Sequence, residues 1–159
     1  MDKLSIVLDH LRHDYPNFKF VASRAACWDP GSNIIKYSAR PQSDLGNVAS
    51  LLHETAHATL GHICFSNDSD LLRKELDAWR IAKELAKHYS VEIPQEHVEN
   101  CLDTYRHWIY RRSCCPNCKS LGVQTSTSVY SCQNCKQVWH VTDSRNSRLY
   151  RSYIRNNTK

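Results

Sequence analysis

Apolar side chains recur at helical spacing in four segments of the chain. They predict helices over residues 2–13, residues 43–60, residues 70–93 and residues 95–112. The second segment is the clearest, because Ser43 or Asp44 can cap its start and Gly61 can end it. Its apolar positions are Leu45, Val48, Ala49, Leu52, Ala56 and Leu60. A helix with one such apolar stripe packs that stripe against a core.

Two short β-prone runs lie between the first and second predicted helices, at residues 18–23 and residues 33–38. They are separated by Asp29-Pro30-Gly31, whose residue types suit a turn. We therefore expect a hairpin or part of a small sheet. With the helices, this predicts an α+β fold for the first part of the chain.

The residue composition changes abruptly after the fourth predicted helix. Residues 113–141 are rich in Cys, Ser, Thr, Asn and Gln, and residues 143–159 hold five basic residues against one acid. We expect three parts: a domain over residues 1–112, a small module over residues 113–142 and a basic tail over residues 143–159.

The overall composition is that of a globular protein, with 41% hydrophobic and 23% charged residues. No apolar run approaches the roughly 20 residues that span a bilayer, and the charged first segment lacks the apolar core of a signal peptide. We expect a cytoplasmic protein that does not bind membranes. The net charge of +5 is concentrated in the tail, which could attract nucleic acid or an acidic protein.

Four of the eight cysteines form two C-x-x-C pairs, Cys115 with Cys118 and Cys132 with Cys135. Thirteen residues separate the pairs, and so short a polar segment has too little apolar core to fold without a cross-link. Four thiolates close a tetrahedral shell around zinc and leave no position for water. We expect a structural zinc ribbon with four cysteine ligands here. The expected free thiols are Cys27, Cys64, Cys101 and Cys114.

An H-E-x-x-H motif, His53-Glu54-Thr55-Ala56-His57, lies within the clearest predicted helix. Side chains four residues apart lie on the same helix face, so both imidazoles can bind one zinc ion. A catalytic zinc takes three protein ligands and keeps one position for water. Glu54, facing the cleft, would then take the proton of the attacking water and pass it to the leaving amine.

The third metal ligand must come from elsewhere in the chain, and the downstream candidates are His62, Glu75, Asp77 and His88. Glu75 is central on the apolar face of the third predicted helix, where an unpaired carboxylate is costly to bury. That face consists of Leu72, Leu76, Trp79, Ala82 and Ala86. Asp77 and His88 lie on the opposite, charged face. Glu75 is therefore favoured, although a glutamate paired with an arginine remains the alternative.

His62 does not complete the pattern H-E-x-x-H-x-x-G-x-x-H, because Gly61 and His62 each miss the required position by one residue. It could still support the metal ligands or donate a hydrogen bond to the transition state.

The runs LLHETAHATLGH and KELDAWRIAKELA resemble the ImmA/IrrE family of zinc metallopeptidases, which pair an H-E-x-x-H helix with a following helix bearing E-x-x-A. Glu75 and Ala78 match the second element. The resemblance covers residues 1–100 and is strong over residues 51–85. It implies a gluzincin-like domain, with helices on a small sheet, that cleaves a protein substrate such as a DNA-binding regulator.

The sequence also departs from this family. Trp79 stands where many relatives have Asn or Asp, and the usual apolar-Pro ending of the second helix comes only at Ile93-Pro94. These departures leave the substrate class open. Residues 33–38 could be the edge strand to which an extended substrate adds, or an internal strand.

Two other functions are compatible with the same motifs. A SprT-like protease acts on DNA-attached proteins and also joins H-E-x-x-H to a zinc module, but its third ligand is a downstream histidine. A non-catalytic adaptor would use both metals structurally, and would have no need of Glu54. The ribbon could also bind nucleic acid, or instead recognise a protein or merely stabilise the first domain. The residues that favour nucleic acid are Lys119, Lys136, Trp139, His140 and the basic tail.

Overall fold

The structure is a computed structural model that describes residues 2–39, 44–143, 145 and 149–153. Ser43, one of the two predicted caps, and much of the predicted basic tail lie outside these residues. Within them the chain forms an α+β fold of four helices and two small sheets. The helices are α1 (Lys3–Asp14), α2 (Asp44–Thr59), α3 (Asp68–His88) and α4 (Gln95–Ser113). None of the described helices is both long enough and apolar enough to cross a membrane.

Contacts between residues divide the chain into two compact units. The first unit comprises Met1–Cys64 and Arg73–Glu99, and the second comprises Phe65–Leu72 and Asn100–Lys159. Helices α3 and α4 each contribute residues to both units. The first turn of α3 and most of α4 thus group with the cysteine-rich segment, at boundaries that composition did not predict.

The sheet of the first unit contains three short strands, β1 (Lys19–Ser23), β2 (Cys27–Asp29) and β3 (Ile34–Ser38), in the order β1-β3-β2. β1 and β3 run parallel, so the two β-prone runs do not form a hairpin with each other. The hairpin joins β2 to β3, which are antiparallel across the predicted turn. Since β3 is the central strand, residues 34–36 pair on both sides and offer no edge for a substrate, whereas in the described sheet Tyr37 and Ser38 pair with β1 alone.

Helix α2 packs against both α1 and the sheet. Asp2 caps the N-terminus of α1, because its side chain accepts a hydrogen bond of 2.7 Å from Ser5 N–H. The predicted apolar positions Val48, Ala49, Leu52 and Ala56 of α2 are completely buried, which confirms the predicted stripe there. Leu60 is 37% exposed instead, because α2 ends at Thr59 and the chain turns away.

The buried face of α3 is centred near Glu75, as predicted, but it does not include the predicted apolar position Leu76. Glu75, Ala78, Trp79, Ala82 and Ala86 are buried, but Leu76 is 45% exposed. Consecutive residues of a helix are separated by about 100° around its axis. A buried stripe that contains Glu75 therefore leaves Leu76 near its solvent-facing border.

The second unit contains an antiparallel sheet in the order β4-β5-β6-β7. Its strands are β4 (Gly122–Ser126), β5 (Val129–Cys132), β6 (Val138–Val141) and β7 (Arg151–Tyr153). β7 falls within the segment that we expected to be a basic tail, and it pairs with β6. The core of this sheet consists of Cys115, Tyr130, Cys132, Trp139 and Val141.

A buried ionic network supports this core. Arg112 is 1% exposed, and its Nε lies 3.2 Å from Asp68 Oδ2. Its other two nitrogens donate hydrogen bonds of 2.7 Å each to the carbonyl oxygens of Thr127 and Thr142. The Tyr130 hydroxyl donates to the same Asp68 oxygen. Because each charge has partners, the pair can remain buried, and it ties the first turn of α3 to the cysteine-rich segment.

Candidate functional site

Two histidines of helix α2 form one side of a candidate metal site in the first unit. His53 and His57 are one helical turn apart, and their Nε2 atoms lie 3.1 Å from each other. His53 is buried, and the His57 side chain is 13% exposed. The same nitrogen of each ring therefore points toward a common position.

Glu75 of helix α3 reaches the same position. Its Oε2 lies 3.1 Å from His53 Nε2, and its Oε1 lies 3.6 Å from His57 Nε2. Around a tetrahedral zinc ion with bonds of about 2.0–2.1 Å, neighbouring ligand atoms are separated by about 3.3 Å. The three side chains have both the atom types and the spacing of a metal shell, so this group could hold a metal ion.

The electrostatics of Glu75 depend on the two histidines. Burial by itself would raise the pKa of the Glu75 carboxyl, but hydrogen bonds that it accepts from His53 and His57, and the positive charges of those rings, lower it to about 2. Among the described residues, the ion pairs of Glu75 are with these two histidines. The alternative of a glutamate paired with an arginine therefore does not apply. A buried carboxylate facing two imidazoles is a group arranged for a cation.

The end of α2 positions His62. Gly61 has a φ of +65°, and its N–H donates to the Ala58 carbonyl, while the His62 N–H donates to the His57 carbonyl. These two bonds form a Schellman motif, which needs a left-handed residue and so favours glycine. The turn brings His62 Nδ1 to 2.8 Å from His57 Nδ1. His62 therefore contacts the ring nitrogen of His57 that faces away from Glu75.

Glu54 contacts the edge of the sheet. Its Oε2 accepts a hydrogen bond of 2.7 Å from the backbone N–H of Trp28 in β2. The indole Nε1–H of Trp28 also donates to the His62 carbonyl at 3.0 Å. Among the described residues, Glu54 Oε1 has no such partner. One oxygen of this half-buried carboxylate is thus fixed and the other is available.

Two tryptophans, Trp28 and Trp79, contact the residues of this site, and the sequence analysis assigned neither of them to it. Trp28 is 26 residues from Glu54 in the chain, and no local pattern relates them. Trp79 is a predicted apolar position four residues after Glu75. Its ring stacks on the His53 imidazole, with centroids 4.2 Å apart and planes at 29°. Because His53 Nδ1 is buried without a hydrogen-bond partner in the described chain, packing by Trp79 orients this ring.

The four paired cysteines converge in the second unit. Sγ of Cys115 lies 3.6 Å from that of Cys135, and Sγ of Cys118 lies 3.5 Å from that of Cys132. These distances are far from a disulfide bond and near the separation of about 3.8 Å between thiolates on a tetrahedral zinc. This group could also hold a metal ion.

The two C-x-x-C turns share one backbone conformation. Lys119 N–H donates to the Cys115 carbonyl and Lys136 N–H donates to the Cys132 carbonyl, both at 3.1 Å. Each lysine is left-handed, with φ of 66° and 62°. A left-handed conformation is uncommon for a residue other than glycine. Because both turns adopt it at the same position, each holds its two thiols in the same arrangement.

The buried cysteine Cys115 and the partly buried cysteines Cys118 and Cys135 have different surroundings. Burial raises the pKa of the Cys115 thiol, whereas hydrogen bonds from Ser120 lower the pKa of the Cys118 thiol. A backbone hydrogen bond from Gln137 likewise lowers the pKa of the Cys135 thiol. Four mutually close thiols cannot all ionise without a cation between them, which is the situation that a metal relieves.

The candidate sites thus comprise the His53, His57 and Glu75 group, with Glu54 and His62 beside it, and the four-cysteine group. We compared the chain with protein-family models, with curated proteins and with solved structures, and it matches none of them. Function must therefore be inferred from the geometry of these side chains.

Proposed function

We propose that the first unit is a zinc-dependent endopeptidase of zincin-like fold, and that the second unit contains a structural zinc ribbon. The catalytic zinc is held by His53, His57 and Glu75. One observation carries this proposal: a carboxylate from a second helix is buried against the Nε2 atoms of an H-E-x-x-H pair. Such a group on an apolar helix face needs a cation.

The donor atoms favour zinc at both sites. Two imidazoles and one carboxylate are the protein ligands of many catalytic zinc ions, and this set leaves a fourth position for water. Four thiolates close the shell of a structural zinc. Iron is the other common metal of four-cysteine sites, so metal analysis of the purified protein distinguishes the two.

Glu54 supplies the proton transfer in this proposal. When bound, zinc acts as a Lewis acid toward the peptide carbonyl and makes its bound water more acidic. Glu54 accepts the proton of the attacking water on Oε1, the oxygen without a hydrogen-bond partner in the described residues, and then delivers it to the leaving amine. The Trp28 N–H keeps the other oxygen in place, so the carboxylate does not need to reorient.

The substrate class rests on the resemblance to the ImmA/IrrE family, which supports a protein substrate such as a DNA-binding regulator. The position of Glu75 makes this proposal preferable to a SprT-like protease, since that class uses a third histidine. A cytoplasmic location belongs to the proposal, because none of the eight cysteines, all of which are described, forms a disulfide bond, and reduced cysteines persist in reducing compartments.

A nucleic-acid partner for the second unit is a separate proposal. That unit holds ten basic and four acidic residues, a net charge of +6. On β7 and just before it, Tyr150 and Tyr153 are 63% and 57% exposed and flank the exposed Arg151. Exposed aromatic rings beside cations are the elements of a single-stranded nucleic-acid platform, where rings stack on bases and cations contact phosphates.

Comparison of the wild-type protein with Glu54→Gln tests the peptidase. Both proteins, loaded with zinc, are incubated with a peptide mixture made from a digested proteome, and new N-termini are identified by mass spectrometry. We expect cleavage by the wild type and a loss of about 100-fold or more in Glu54→Gln, with both metals retained. Glu96→Gln, an exposed change at the start of α4, is the control. Equal cleavage by wild type and Glu54→Gln, or none by either with both zinc ions bound, would contradict the proposal.

A further inference from the structure

A pocket of about 290 Å³ lies in the first unit. Its walls come from the segment before β2, the end of β3, the first turns of α2 and the start of α4. The residues that define it are Arg24, Ala26, Ser38, Asn47, Ser50 and His97. A volume at the lower limit of ligand pockets suits a single side chain.

The pocket adjoins the candidate metal site along α2 and β2. Ser50 precedes His53 by three residues and Glu54 by four, so all three belong to one side of the helix. Ala26 directly precedes β2, in which Trp28 holds the Glu54 carboxylate. Two walls of the pocket are therefore neighbours of the proposed proton-transfer group.

The wall that the start of α4 contributes adjoins the candidate metal site through Trp79. The His97 ring lies edge-on to Trp79, with centroids 5.7 Å apart and planes at 79°. Trp79 in turn stacks on His53. A side chain that contacts His97 in the pocket is thus separated from His53 by the rings of His97 and Trp79.

The lining of the pocket has the chemistry to bind a carboxylate. Arg24 is exposed, and in the described part of the chain it has no hydrogen-bond or ion-pair partner. Among the described residues, the lining includes Ser38 and Ser50 but no Asp or Glu. A guanidinium forms charge-assisted hydrogen bonds to carboxylates, and serine hydroxyls in the same pocket can donate to the same group.

We propose that this pocket binds an acidic side chain, Asp or Glu, of the substrate peptide beside the bond that is cleaved. The inference rests on the proposed peptidase function, because it names a substrate preference of the same site. Arg24 is the residue that determines this preference.

A binding measurement tests the pocket without any need for turnover. The zinc-loaded Glu54→Gln protein is titrated with N-acetyl-glutamate amide, N-acetyl-glutamine amide and N-acetyl-lysine amide, and amide chemical shifts are followed by NMR. We expect the glutamate compound to shift the signals of Ala26, Ser50 and His97, and to bind about tenfold more tightly than the lysine compound. Adding Arg24→Glu should remove this binding, whereas Arg12→Glu, the same charge change on α1, should preserve it.

The outcomes separate the two proposals. A carboxylate bound only to the metal would still bind the Arg24→Glu protein, and that result would overturn the pocket assignment. Equal binding of the glutamate and lysine compounds would also overturn it, whether or not the wild type cleaves peptides. Where cleavage is observed, the wild type should prefer Asp or Glu next to the cleaved bond, and Arg24→Glu should reverse this toward Lys or Arg. Failure of the peptidase itself is detected by the Glu54→Gln comparison.

Discussion

His62 Nδ1 lies 2.8 Å from His57 Nδ1, on the side of the His57 ring opposite Glu75. One of these two nitrogens must carry the proton for a hydrogen bond to exist. If His57 binds metal through Nε2, it donates from Nδ1, and His62 accepts as a neutral ring. Burial and the nearby charges of His57 and Lys74 lower the pKa of His62, which favours the neutral form that this bond requires.

We predict that His62→Ala weakens zinc binding at the two-histidine site by about 10- to 100-fold, because loss of a supporting hydrogen bond frees the ligand ring. Competition with a chromogenic chelator measures this affinity. His88→Ala removes an exposed histidine from α3 and should leave it unchanged. Unaltered affinity in His62→Ala would show that the contact does not support the metal.

Replacement of Glu75 tests the third ligand directly. We predict that Glu75→Ala lowers bound zinc from about two equivalents per chain to about one, since two imidazoles alone hold the ion weakly. Elemental analysis of the purified protein provides the measurement. Glu84→Ala, on the exposed face of the same helix, should keep both ions. Two equivalents in the Glu75→Ala protein would assign the third position to another residue.

Gly122 has no room for a larger residue, because an added Cβ would overlap the Trp139 ring. We predict that Gly122→Ala destabilises the second unit by about 1–3 kcal/mol through overpacking. Hydrogen exchange of the amides in β5 and β6 measures the local free energy of opening. Gly31→Ala is the matched control, since a Cβ there meets Asp29 at an ordinary distance of 3.6 Å. Equal effects of the two changes would refute the packing argument.

Loss of one thiolate should unfold the ribbon. We predict that Cys115→Ser removes protection from exchange over residues 113–142 while α1 and α2 keep theirs, because four ligands hold this short segment together. The first turn of α3 should lose protection as well, since Asp68 pairs with Arg112 and Tyr130 in the same unit. Cys27→Ser, at an exposed thiol, is the control. Retained protection over residues 113–142 would mean that the metal is not required for their fold.

The nucleic-acid proposal predicts that Tyr153→Ala weakens binding of a fluorescent single-stranded oligonucleotide by about fivefold or more, in line with the loss of one stacked base. Fluorescence anisotropy at two salt concentrations gives the affinity and its salt dependence. Tyr15→Ala, in the first unit, should have no effect. If no oligonucleotide binds at low salt, the second unit recognises a protein or only stabilises the chain.

The features of this protein that can be predicted from its sequence are those whose signal is local. The stripe of α2 places His53 and His57 one turn apart, and the two C-x-x-C pairs provide four thiols in two short turns. Both follow from spacing along the chain. Glu75 could be found in the same way, since a carboxylate among apolar residues must have a partner.

Contacts between residues that are distant in the chain depend instead on packing. The central position of β3 requires parallel pairing with β1, which no turn signal reveals. The bond from Trp28 to Glu54, the stacking of Trp79 on His53 and the pairing of β7 with β6 also join remote segments. The predicted burial of Leu76 was wrong for the same reason, because apolar spacing marks a stripe but only the neighbouring elements define its centre. Local patterns therefore identified the candidate ligands, and long-range packing arranged the groups around them.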